Sequence, residues 1–137
     1  MSDIGVDEKN YTALIIDDDV DTVDLFAEFL EVCELKVVGK AFDGKEAIDL
    51  YEKTRPDIVF SDVMMPEYDG FYVLDEIKKK NPDAIVVIIT GDVRPETIVR
   101  LEKSGANAII YKPFDMKNVM NTVHTLLKKN DMSESIC

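Results

Sequence analysis

The sequence predicts an α/β fold: a five-stranded parallel sheet, doubly wound, with helices on both faces. Three observations predict it. Short apolar runs alternate with helical patterns five times along the chain, which calls for right-handed crossovers between parallel strands. Three of those runs, "ALII", "IVF" and "AIVVII", are almost unbroken apolar, as strands covered on both faces should be. A chain of 137 residues that is 46% hydrophobic can bury one sizeable core, which makes it one domain.

Each element has its own justification. The first apolar run is Thr12–Ile16. From Val20 to Cys33, apolar residues at 23, 26, 27, 30 and 33 repeat with helical spacing. The run Leu35–Ala41 is mixed, with Lys36 and Lys40, and suits an edge strand guarded by charge. In "DGKEAIDLYEK", Asp43 and Glu46 form a capping pair for the next helix. After the run Asp57–Ser61, "DGFYVLDEIKKK" carries acids early and lysines late, in accord with the helix dipole, and stops at Asn81-Pro82. The run Ala84–Ile89 precedes "RPETIVRLEKSG", with Pro95 at a helix start and Gly105 at its C-cap. After Ala106–Tyr111, the stripe Met116, Val119, Met120, Val123, Leu126 and Leu127 marks a last helix to about Lys129. Residues 1–10 and 130–137 are polar and aperiodic and read as flexible tails, which leaves a domain at 11–129.

Composition excludes several function classes. With 16 basic and 28 acidic residues, the net charge of −12 repels phosphate backbones and anionic membranes, so direct nucleic-acid binding is not expected. No apolar stretch nears the roughly 20 residues of a membrane span. The N-terminus "MSDIGVDEKN" lacks a signal-peptide pattern, and a cytoplasmic protein is expected. Cys33 and Cys137 read as free thiols, as in a reducing compartment. The single His124 lies beside the last helix's stripe and reads as a surface residue.

In open parallel sheets, chemistry gathers at the carboxyl ends of the strands. The residues there are Asp17 and Asp18, then Asp62, Thr90 and Lys112. Asp17, Asp18 and Asp19 stand side by side and repel one another. A hard cation held by oxygen would relieve them; equally, Asp19 or Asp21 could be a helix N-cap or first-turn acid. The set as a whole decides. Three acids supply oxygens for a Mg²⁺ or Mn²⁺ ion, Lys112 a point charge and Thr90 a hydroxyl. Together they make a receptor for a phosphoryl group, and a carboxylate among them can be its acceptor.

On "LIIDDD", "DIVFSDVMMPEYDGFYVL", "VVIITG" and "GANAIIYKPF", the chain resembles the receiver domain of two-component response regulators, stand-alone and chemotaxis-regulator-like. The resemblance covers about residues 11–129, with 44 positions from Asp18 to Asp62 and 22 from Thr90 to Lys112. It implies a flavodoxin-like (βα)5 fold with strand order 2-1-3-4-5. It also implies that Asp62 accepts a phosphoryl group from a histidine kinase or phosphotransfer protein. Asp18 would bind Mg²⁺ directly, Asp17 largely through water, and the Met64 carbonyl would complete the metal site. Thr90 and Lys112 would hold phosphoryl oxygens, and the Lys112–Pro113 peptide would be cis. Met64 and Asp92 occupy positions that tune water access in this family. The implied output is a protein partner, or a phosphorylation-dependent homodimer, on the face of the fourth helix, fifth strand and fifth helix. Such domains are switches with slow self-hydrolysis, not turnover enzymes.

One position departs from the family. Ile109 stands where an aromatic usually turns inward, and Tyr111, two residues on and on the same side of the strand, is expected to share the readout. Two alternatives remain open. "DVDTV" fits the signature of haloacid-dehalogenase-like phosphatases, with Asp19 as nucleophile; a degenerate receiver would act as a phosphorylation-independent adaptor.

Overall fold

The computed structural model describes residues 11–127. The elements are β1 (Thr12–Ile16), α1 (Val20–Val32), β2 (Lys36–Ala41), α2 (Gly44–Thr54) and β3 (Ile58–Ser61). They continue with α3 (Gly70–Lys80), β4 (Val86–Thr90), α4 (Pro95–Lys103), β5 (Ala108–Tyr111) and α5 (Met116–Leu127). All strand pairs are parallel, in the order β2-β1-β3-β4-β5. The expected tails, 1–10 and 130–137, lie outside the described residues.

Alternation along the strands builds two cores from one sheet. Ala13 and Ile15 of β1, Ile58 and Phe60 of β3, and Val87 and Ile89 of β4 face α1 and α5, where Val23, Phe26, Leu30, Val119 and Met120 close over them. Leu14, Ile16, Val59, Val86 and Ile88 face α2, α3 and α4, under Ile48, Tyr51, Leu74, Ile77 and Leu101. Burial on both faces explains why the central strands read as unbroken apolar runs. The edge strand β2 keeps Lys36 and Lys40 exposed, and Lys40 Nζ reaches Asp24 of α1 at 3.0 Å.

Strand starts differ from the apolar runs for a hydrogen-bonding reason. The Leu35 and Ala106 amides bond back to Leu30 and Leu101, closing the preceding helices at 2.9 and 3.1 Å, and so are not free for the ladder. Ala84 is held in a turn by Asn81 O at 3.0 Å. Apolar character extends past these turns, but the ladder does not. At the end of α4, Ser104 is the C-cap, and Gly105 follows it with φ +97°. The expected capping pair of α2 forms: Asp43 Oδ1 accepts from the Glu46 amide at 2.8 Å, and Glu46 Oε1 reaches back to the Phe42 amide, one residue before the cap, at 2.9 Å.

Cys33 corrects the free-thiol expectation. It caps α1, is buried, and is disulfide-bonded; the expectation for Cys137 lies outside the described residues. Composition alone cannot tell which distant thiols meet in space. His124 is half-buried rather than a simple surface residue, with Nε2 shielded from solvent. Among the described residues no helix is long and apolar enough to cross a membrane.

Candidate functional site

Strand order reverses beside β1, whose two neighbours β2 and β3 connect in opposite directions, and a crevice opens there at the carboxyl ends. The ladder extends one residue past each strand and fixes the residues that follow. The Asp17 amide bonds to Ala41 O at 3.1 Å, that of Asp62 to Ile16 O at 2.9 Å, and that of Lys112 to Thr90 O at 2.8 Å. Asp17 and Asp62 therefore sit side by side on adjacent strands. Lys112 leaves the edge strand β5, and its long side chain crosses β4 to meet them.

The charged group is tight. One oxygen from each of Asp17, Asp18 and Asp62 lies within 4.8 Å of the others. Lys112 Nζ stands 3.3 Å from Asp17 Oδ2 and 3.5 Å from Asp62 Oδ2. The remaining oxygens are steered by backbone: Asp62 Oδ1 accepts from the Val63 amide at 2.8 Å, and Asp17 Oδ1 from the Asp19 amide at 3.0 Å. Three carboxylates face one ammonium. The imbalance is legible in their protonation. Burial pushes the Asp62 carboxyl up, and the Asp17 charge adds to this against the pull of Lys112. Asp18 is pushed up too, first by desolvation and then by Asp17. Burial pulls Lys112 down, but the Asp62 and Asp17 carboxylates outweigh it and hold the ammonium above the usual lysine range.

These donors fit a hard cation. All three are carboxylate oxygens, in reach of one another and short of positive charge, which is what Mg²⁺ or Mn²⁺ takes. The cleft beside them holds about 20 Å³ and is floored by Ile15, Phe26, Phe60 and Ile89. That is room for an ion or a water rather than an organic substrate, whose pockets run to roughly 300 Å³ or more. Phe26 stacks edge-on against Phe60 and Phe114, with ring centres 5.1 and 5.4 Å apart, and keeps the floor rigid.

The other expected residues are placed less directly. Thr90 is fully buried, and its Oγ1 accepts from the Asp92 amide at 2.9 Å. Met64 is exposed two residues past Asp62. The Lys112–Pro113 peptide is cis. Ile109 packs into the core over α2–α4, whereas Tyr111 is 45% exposed and is the register partner of Thr90. Asp19 stays out of the carboxylate group. It occupies the N-cap position of α1 and accepts from the Thr22 hydroxyl at 2.5 Å, which leaves the phosphatase reading without its nucleophile in the cleft.

Sequence reasoning missed two features. Gly70 opens α3 so close to β3 that a Cβ there would lie 2.4 Å from the Asp62 carbonyl oxygen. The Asp-Gly pair before a helix was its only signal. The second is a cluster of Asp92, Arg94 and Thr97 after β4, whose members meet only once the loop is folded.

Comparison with known proteins agrees with this geometry. The chain is 30% identical to chemotaxis protein CheY of Thermotoga maritima over 115 residues, 84% of this chain and 96% of that one. It is 32% identical to chemotaxis protein CheY of Halobacterium salinarum over 114 residues, covering 83% and 94%. Among solved structures it is similar to a chain of the CheX-CheY-BeF3-Mg²⁺ complex from Borrelia burgdorferi, with TM-score 0.81, 28% identity and coverage of 85% and 89%. Residues 13–124 match the response regulator receiver domain, and the chain belongs to that family.

Proposed function

We propose that this chain is a phosphorylation-dependent switch whose receiver domain, residues 11–129, takes a phosphoryl group onto Asp62. The observation that carries the reading is the cation-deficient group of Asp17, Asp18 and Asp62 with Lys112 reaching across it. An Asp62 oxygen attacks phosphorus in line and forms the acyl phosphate. The N–P bond of the donor phosphohistidine breaks, and the imidazole leaves with the electron pair. Lys112 holds a phosphoryl oxygen, and Thr90 turns in to hold another. Asp18 would hold Mg²⁺ or Mn²⁺ directly, Asp17 would do so largely through water, and the Met64 carbonyl would complete the set. When bound, the ion neutralises charge that builds on the phosphoryl oxygens. Two facts lend support: the Borrelia burgdorferi relative was solved with BeF3 and Mg²⁺, and receiver domains are switches rather than turnover enzymes. Slow self-hydrolysis of the acyl phosphate resets the switch.

The donor is a histidine kinase or phosphotransfer protein in the cytoplasm. The output is a protein partner, or a second copy of the chain, at the α4–β5–α5 face. Tyr111 shares the readout: it pairs in register with Thr90 and is partly exposed, while Ile109 is committed to the core. Intact mass after incubation with Mg²⁺ and acetyl phosphate tests the acceptor. A single phosphoryl adduct is expected in wild type and Asp19→Asn and none in Asp62→Asn. An adduct that survives in Asp62→Asn overturns the reading. If Tyr111→Ala leaves phosphorylation-dependent partner binding intact, the role of Tyr111 is wrong.

A further inference from the structure

The loop after β4 carries a polar cluster that the phosphoacceptor reading leaves unused. The Asp92 carboxylate accepts four hydrogen bonds. Oδ1 takes the Arg94 amide at 3.0 Å and Arg94 Nε at 2.9 Å; Oδ2 takes Arg94 Nη2 at 2.6 Å and the Thr97 hydroxyl at 2.9 Å. The Asp92 amide itself donates to Thr90 Oγ1 at 2.9 Å. One residue thus ties the end of β4, the loop and the first turn of α4 together. The Arg94 fork is the strongest geometry such a pair can take, and it holds the Asp92 carboxyl far below the usual range.

The tie is anchored at one end and releasable at the other. Thr97 is buried in the first turn of α4, while the Arg94 side chain is 62% exposed, where water and salt compete for it. At Gly91 the loop leaves open space beside the rim: a Cβ there would meet only Lys112 Cβ, at 4.0 Å. Thr90 feels the consequence. Its fully buried hydroxyl is engaged by the Asp92 amide, so the loop that Asp92 fastens sets where that hydroxyl stands.

We propose that Asp92, Arg94 and Thr97 form a latch that keeps the Thr90 hydroxyl on the loop after β4, with Arg94 the positioning residue that sets how readily the site closes on a phosphoryl group. The inference rests on Asp62 being the acceptor. A latch lowers apparent affinity by the fraction of molecules already open, and a half-exposed ion pair sets that fraction modestly. Releasing it tightens binding of a phosphoryl mimic by about two- to fivefold.

The experiment titrates the full chain with beryllofluoride and Mg²⁺, following amide resonances, in wild type, Arg94→Ala and Arg94→Lys. Arg94→Ala is expected to bind beryllofluoride more tightly with Mg²⁺ affinity unchanged. Arg94→Lys should fall between the two, since an ammonium keeps the charge but not the fork. Raising salt should draw wild type toward Arg94→Ala. Equal affinities in wild type and Arg94→Ala overturn the latch. A wild type that takes up no beryllofluoride counts against the acceptor reading instead. The latch is then judged on hydrogen exchange of the Asp92 amide, slower in wild type than in Arg94→Ala if it exists and equal if it does not.

Discussion

The two ends of the same sheet treat polar groups in opposite ways. At the amino ends of the strands, Thr12, Asp57 and Asn107 meet partners of matching kind. Asp57 Oδ2 accepts from the Thr12 amide at 2.8 Å and its hydroxyl at 3.2 Å, and Thr12 Oγ1 accepts from the Asp57 amide at 3.0 Å. Asn107 Oδ1 accepts from the Val86 amide at 2.8 Å and from Lys78 Nζ at 2.9 Å. These contacts fasten β1 to the start of β3, and β4 to the start of β5. At the carboxyl ends three carboxylates crowd one lysine, and burial drives Asp62 toward protonation. A satisfied polar cluster holds a fold together; an unbalanced one is held together by the fold, and its free energy is available to a ligand.

The contrast can be broken most severely at Gly70. In Gly70→Ala the new Cβ presses on the Asp62 carbonyl, a backbone atom that cannot swing aside. Chemical denaturation should show a loss of about 3 kcal/mol, the upper range for overpacking, together with weakened Mg²⁺ binding. A smaller and opposite pair of effects sharpens the contrast. Asp57→Ala leaves Thr12 donors unpaired and should destabilise by about 2 kcal/mol with Mg²⁺ affinity intact. Asp62→Asn removes a half-buried charge from a repelling group and should stabilise the metal-free protein by about 1 kcal/mol.

The smallest effect is a pH dependence whose sign separates the two ends. Asp62 and Asp18 both titrate above the ordinary carboxylate range, so the folded chain binds their protons where the unfolded chain has lost them. Their contribution to stability is fully present below the unfolded value and is lost as pH rises through the folded ones, the reverse of a well-paired carboxylate. Metal binding needs both groups ionised. Mg²⁺ affinity, measured by calorimetry, should therefore begin to fall at a higher pH than an unperturbed aspartate allows, and Asp62→Asn should remove part of that dependence.

Much of the carboxyl rim was legible because unbroken apolar runs mark the central strands and the residue after each run is a strand end. Asp17, Asp62 and Lys112 needed only that rule and the strand order. Asn107 and Thr12 were not legible, since neither type advertises a partner that lies far along the chain. Strand starts were misjudged at Leu35 and Ala106 because their amides close helices, which hydrophobicity does not report. Thr90 was placed on the correct strand, but which way its hydroxyl turns depends on Asp92 and so on the folded loop. The disulfide of Cys33 has no local signature at all.

Thermal unfolding of wild type with and without Mg²⁺ tests the central claim most directly, that the carboxyl rim gathers more negative charge than Lys112 balances. With Mg²⁺ at a hundredfold excess over its dissociation constant, wild type should gain about 2.7 kcal/mol. Asp57→Ala should keep the same gain from its lower baseline, and the double variant Asp18→Asn/Asp62→Asn should lose it. A wild type indifferent to Mg²⁺, or an equal gain in the double variant, would contradict the account.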